Sequence, residues 1–112
     1  MSEKEKKNMA KIKILNLEAI KNILKAHKEE LKEKYRVKEI GIFGSYVRGE
    51  QKRVSDINIL IDFEPDAKIS LLDFAEIEIY LSNLLGVKVD LVEKSVLKPR
   101  IGKYILKEVV YL

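Results

Sequence analysis

Two clusters near the middle of the chain have residue types and spacing suited to chemistry on phosphates. The first is Gly44-Ser45, directly after a short apolar run. A glycine there lets the backbone approach a ligand closely, and the amides that follow, with the Ser45 hydroxyl, can bond phosphate oxygens. The second is Ser55-Asp56-Ile57-Asn58, in an alternating stretch that points positions 56 and 58 the same way from one strand. Hard oxygen ligands of this kind suit Mg²⁺, which binds through one or two carboxylates plus substrate phosphates. Asp90, on a later strand, would complete the cluster if the two strands pair in the right register. Each feature also has a plain reading: Gly-Ser after a strand is often only a turn, and Asp-x-Asn often only a wet strand face.

Composition narrows the alternatives. The chain has 112 residues, 46% hydrophobic and 36% charged, which suits one domain with a core of its own. There is no cysteine, so disulfide frameworks, zinc ribbons and thiol catalysis are excluded. The single histidine, His27, leaves little for an imidazole-based metal site or a Ser-His-Asp triad. Chemistry, if there is any, falls to carboxylates and hydroxyls.

The net charge of +4 is unevenly spread. Residues 1–53 hold 15 Lys/Arg against 8 Asp/Glu, whereas residues 54–112 hold 7 against 10. A basic first half could attract a nucleotide, RNA or an acidic partner, although Lys-rich helix faces are as often simply solvated. Abundant Lys and Glu without Cys hint at a thermophile. The first residues are polar, with no secretory pattern. The longest stretch without a charge, Ile79 to Val87, is nine residues. A membrane helix needs about 20, so a soluble cytoplasmic protein with no membrane contact is expected.

The elements that must position these residues follow from periodicity. Residues 1–15 read as a flexible basic tail and 16–112 as one domain. Asn16 is a helix cap with Glu18 in the first turn, and Leu17, Ile20, Leu24, Leu31 and Tyr35 form one apolar stripe. His27 falls on that stripe and reads as a residue at the core's edge. Residues 37–43 form a strand ending at Gly44, with a short helix expected from Ser45. Asp56 to Phe63 alternate as a second strand, with Ile57, Ile59, Ile61 and Phe63 on its apolar face.

A helix follows over about residues 70–85, with Leu71, Phe74, Ile77, Leu81 and Leu84 inward and Gly86 as its left-handed end. Residues 87–92 make a third strand. Pro99 opens a last helix through Ile101, Ile105 and Val109. The result is an α/β (α+β) class: a small mixed sheet flanked by helices, without repeats or internal linkers. These apolar stripes could also serve a homo-oligomer.

Taken together, Gly44-Ser45, ten residues, then Asp56-x-Asn58, with Asp90 later, resembles a known signature. It is that of the DNA polymerase β-like nucleotidyltransferase superfamily: Gly-Ser, ten residues, Asp-x-Asp. The text GIFGSYVRGEQKRVSDINILIDFE followed by VKVDLVE is similar to its minimal nucleotidyltransferase (MNT) group, whose fold is thereby implied for nearly the whole chain. The resemblance implies that Gly44 and Ser45 hold the triphosphate of ATP, and that Ser45, Asp56 and Asp90 are catalytic. It implies that Asp56 and Asp90 ligate Mg²⁺, with position 58 as the third ligand of the motif. Arg48 lies where the family keeps an arginine that either contacts phosphate or braces the turn.

MNT proteins commonly pair with all-helical HEPN toxins, and some transfer AMP from ATP to a tyrosine of that partner. A HEPN toxin is therefore the implied partner. Template-directed synthesis is not expected, because 112 residues leave no room for polymerase fingers or thumb.

Position 58 departs from the family pattern. An aspartate there brings a full charge and can bridge two ions, whereas Asn58 offers one neutral carbonyl oxygen. Asp62 is about 13 Å further along the strand and is a poor substitute. Three readings follow: an active nucleotidyltransferase, an antitoxin that neutralises its toxin by binding alone, and a nucleic-acid module with a degenerate pocket. The last is disfavoured because the aromatic residues lie mostly on core stripes instead of among basic ones.

Overall fold

Asn16 opens the first helix as expected, its side chain accepting the Ala19 amide at 2.9 Å. The computed structural model describes residues 15–52 and 55–112. The tail expected over residues 1–15 therefore lies outside the described residues, apart from Leu15, which packs partly buried against the core. Helix α1 (Leu17–Tyr35) buries Ile20, Leu24, Leu31 and Tyr35 and ends at Arg36, which takes the left-handed conformation. His27 is half-buried, its Nδ1 3.0 Å from the Ile23 carbonyl and its ring edge-on to Tyr80.

Strand β1 (Val37–Phe43) leads through Gly44 into the single-turn helix α2 (Ser45–Arg48). Strand β2 (Ile57–Phe63) follows, then α3 (Leu71–Leu85), β3 (Val89–Glu93), a 3₁₀ turn at Lys94–Val96, α4 (Pro99–Glu108) and β4 (Val110–Tyr111). The sheet order is β3-β2-β1-β4. Neighbours are antiparallel except β2 and β3, which run parallel across the α3 crossover.

One sheet face carries the core. Ile40 and Ile42 of β1, Ile57, Ile59 and Ile61 of β2, and Val89 and Leu91 of β3 pack with the inner sides of α1 and α3. Tyr35 and Tyr80 tie the two helices through Glu76 and Glu30, at 3.1 and 3.2 Å. Alternation leads one to expect a largely polar opposite face on β2. Leu60 on that face is only 1% exposed, so part of it is covered as well. Val109 packs over Gly41, the register partner of Leu60, where any Cβ would collide with it.

Several expectations need correction. Strand β2 begins at Ile57, not Asp56, because the first pairing bond runs from the Ile57 amide to the Lys88 carbonyl. Strand β3 covers 89–93 instead of 87–92. Gly86 (φ +71°) ends α3, and the next two residues are used in turning the chain to meet β2. Leu71 is 91% exposed, not inward. Helical steps set it about 120° around the axis from Ile77. It lines a groove of about 460 Å³ with Ile69, Phe74, Leu91 and Val96.

Ile101 is likewise exposed. The inward residues of α4 are Gly102, Ile105 and Glu108, at steps of three. Strand β4 was not expected; two residues are too short to show a period.

The entry of α3 is held by a reciprocal capping box. Ser70 Oγ accepts the Asp73 amide at 3.1 Å, and Asp73 Oδ2 accepts the Ser70 amide at 3.0 Å. Ser70→Ala is expected to cost about 1 kcal/mol, read as a lower urea midpoint at unchanged slope. An unchanged midpoint would mean that the box contributes nothing net.

Candidate active site

Gly44 takes φ +87° and ψ −153°, a conformation reserved for glycine, and so turns the chain sharply out of β1 into α2. The same position is approached by Asn58, whose side-chain nitrogen would overlap any Cβ placed on Gly44. Asn58 is thus the wall against which the Gly44-Ser45 turn is built. The Ser45 and Tyr46 amides head the helical turn, where a helix has no internal acceptor for them.

Pairing brings the distant residues together. Asn58 lies opposite Phe43 on β1 and opposite Asp90 on β3, so position 90 stands in register beside position 58. Asp56 sits one residue ahead of β2, its side chain 47% exposed and 3.9 Å from the Lys88 ammonium. Such an exposed pair contributes little to stability and leaves the carboxylate accessible. Tyr46 is buried, and its hydroxyl donates to the carbonyl of Ser55, the residue before Asp56, at 3.5 Å. Burial first, then the Asp56 charge, push the Tyr46 phenol above its ordinary pKa, so it remains a donor.

Arg48 faces two carboxylates. Its Nε donates to Glu50 at 2.8 Å and its Nη1 donates to Glu108 Oε1. These bonds, Glu108's first, raise the guanidinium pKa. The other Glu108 oxygen, Oε2, accepts the Gly44 amide at 2.9 Å.

Sequence reasoning missed Glu108. Its only signal is phase: it repeats three residues after Ile105 and six after Gly102, on the inner side of an amphipathic helix. A carboxylate there has no reason in packing alone.

Mg²⁺ places definite demands on these donors. Among the described residues, no three of His, Cys, Asp and Glu gather as a metal centre. The cluster is Asp56 and Asp90, with Asn58 two residues along the chain from the first and in register beside the second. Two accessible carboxylates and an amide oxygen fit one hard divalent ion whose remaining ligands are phosphates and water. They lack the third carboxylate suited to bridging a second ion.

Residues 24–112, which include every residue of this cluster, match the family described as "Nucleotidyltransferase domain". The chain belongs to that family.

The domain is 59% identical over 99 residues to the protein adenylyltransferase MntA of Thermococcus cleftensis, covering 88% of this chain and 98% of the relative. It also superposes on a solved structure assigned as a minimal nucleotidyltransferase, with 33% identity and a TM-score of 0.72 over 88% of this chain and 98% of that one. A further match, at 17% identity and TM-score 0.60, is the complex of a tri-AMPylated Shewanella oneidensis HEPN toxin with its MNT antitoxin. It covers 82% of this chain and 70% of that one and shows a shared fold. The mixed sheet flanked by helices is thus the minimal nucleotidyltransferase fold, as the sequence implied. Among the described residues of this nucleotidyltransferase domain, no helix is long and apolar enough to cross a membrane.

Proposed function

We propose that this nucleotidyltransferase domain transfers AMP from ATP to a tyrosine hydroxyl of a HEPN-domain partner, and so acts as an antitoxin. The observation that carries this reading is the parallel register pairing Asn58 with Asp90, with Asp56 at the strand entrance and the Gly44-Ser45 turn against Asn58. The adenylyltransferase name of the Thermococcus cleftensis relative supports it, as does the AMPylated HEPN toxin found with an MNT antitoxin.

In this reading Gly44 and Ser45 hold the triphosphate, and Asp56, Asn58 and Asp90 hold Mg²⁺. The bound ion offsets the charge of the phosphate oxygens and polarises them. Ser45, half-buried at the head of its turn, fixes the phosphate tail and orients the α-phosphorus towards an incoming hydroxyl. The acceptor oxygen bonds to that phosphorus, pyrophosphate leaves and the hydroxyl proton goes to solvent. Arg48 acts on the phosphates through the turn that it braces.

The test is intact-mass measurement of a cognate HEPN partner incubated with this protein, ATP and Mg²⁺. An increase of about 329 Da per AMP is expected, and it should vanish with Ser45→Ala. A verified partner that gains no mass would sink the reading. Asn58→Asp is expected to raise the transfer rate about tenfold by restoring charge at the ion.

Asn58 also favours a second reading, in which the domain neutralises its partner by binding alone. On that view Asp56→Ala leaves neutralisation intact, and neutralisation that tracks the metal site contradicts it.

A further inference from the structure

We infer that Glu108 is a positioning residue of the nucleotide site, an inference that rests on the ATP-binding reading above. Helix α2 is a single turn, and glycine at its entrance has no side chain with which to cap it. Both ends are instead held from outside by one carboxylate, which arrives 60 residues later from the last position of α4. Oε2 takes the amide of Gly44 at the entrance, and Oε1 takes the guanidinium of Arg48 at the exit.

The Glu108 side chain is 21% exposed, whereas that of Arg48 is 51% exposed. The carboxylate therefore sits inward, where its hydrogen bonds are less weakened by water. Ser45 lies between the two anchored residues, so the direction of its hydroxyl and amide depends on both.

The pairing also eases an electrostatic problem. A bare carboxylate beside a turn that receives phosphates would repel them. Arg48 pairs with Glu108 and, through its Nε, with the more exposed Glu50, so its guanidinium offsets part of the carboxylate charge beside the turn. Arg48 and Glu108 thus act as one unit: the carboxylate supplies geometry and the guanidinium offsets its charge. Strand β4, one residue beyond Glu108, pairs with Gly41 and Ile42 and so ties the end of α4 to β1, the strand that leads into Gly44.

The test is Mg-ATP affinity by calorimetry on the full chain, with melting curves on the same samples. Glu108→Gln keeps the size but cannot accept from both donors with a charged group, and is expected to weaken ATP binding about tenfold. Arg48→Gln, at an exposed position that tolerates the change in folding, is expected to weaken it about tenfold as well. The double variant should fall within about threefold of Arg48→Gln alone, because the two residues act as a unit. Tyr35→Phe, which removes a distant helix–helix hydrogen bond, serves as the control: it lowers the melting temperature and leaves ATP affinity unchanged.

ATP binding to Glu108→Gln as tight as to the parent would overturn the inference. Losses that multiply to about a hundredfold in the double variant would do the same, since they mean that Arg48 meets phosphate independently. If Glu108→Gln fails to fold, Arg48→Gln decides: unchanged affinity there removes the unit. A parent protein that binds no ATP removes the nucleotide reading itself and this inference with it, an outcome distinct from the others.

Discussion

Asp56→Ala is expected to lower AMP transfer about a thousandfold while moving the melting temperature by no more than a few degrees. The two effects separate because of where Asp56 sits. Its side chain is half in solvent, and among the described residues its ion pair is the 3.9 Å contact with Lys88, of a kind that contributes about 0–1 kcal/mol at a surface. Folding therefore loses little.

On the proposed reading the chemistry loses much more, because among the described residues the cluster offers a divalent ion two carboxylates, Asp56 and Asp90. Removing one takes away half of the fixed charge that holds it. Ion-assisted stabilisation of phosphate charge amounts to several kcal/mol, and each 1.36 kcal/mol is a factor of ten in rate. Single-turnover transfer from labelled ATP, with and without chelator, reads the effect. Transfer within tenfold of the parent would show that Asp56 does not serve the reaction.

Gly44→Ala is expected to destabilise the domain by about 2–4 kcal/mol and to weaken ATP binding more than tenfold. Two causes add here. The backbone at φ +87° and ψ −153° is strained for any residue with a Cβ, and that Cβ would meet the Asn58 side chain. Asn58 cannot easily give way, since it lies in β2 between its partners on β1 and β3.

Gly49→Ala is the matched comparison. It too has positive φ, +71°, but none of the described residues lies within 4 Å of the added carbon. Its cost should be about 1 kcal/mol, the left-handed penalty alone. Equal urea midpoints for the two variants would mean that the Asn58 wall yields.

Much of the scaffold is legible in the order of residues alone. Asn16 and Ser70 announce helix entrances because a cap is a contact made within three residues of itself. The alternation from Ile57 to Phe63 sets which β2 residues face the helices. Errors arise where a local pattern loses to a distant partner. Leu71 looks inward by spacing, yet the inner side of α3 is set by Ile77, Leu81 and Leu85, which reach the sheet. On α4 an apolar step of four suggests Ile101, while the true inward row includes a glycine that admits close packing with Leu97 and a glutamate that serves the turn.

By itself, the sequence determined the chemical vocabulary of the site. The absence of cysteine and the single histidine leave oxygen ligands, and the spacing of Gly44-Ser45 to Asp56 and Asn58 resembles the nucleotidyltransferase signature, which implies a phosphate turn beside a metal position. These are properties of residue type and short separation, and a strand's period of two carries them.

Only the tertiary structure decided the register and the bracing. Alternation states which face Asp90 shares, but not which residue it stands beside; a slip of two would keep its face and carry it about 7 Å from Asn58. That choice is made by the whole of β2 and β3 burying Ile57, Ile59, Val89 and Leu91 together. The link from Glu108 to Gly44 and Arg48 joins residues whose proximity depends on the path of α4 and β4 across the sheet. No local pattern encodes it, because a hydrogen bond between elements exists only once both have packed.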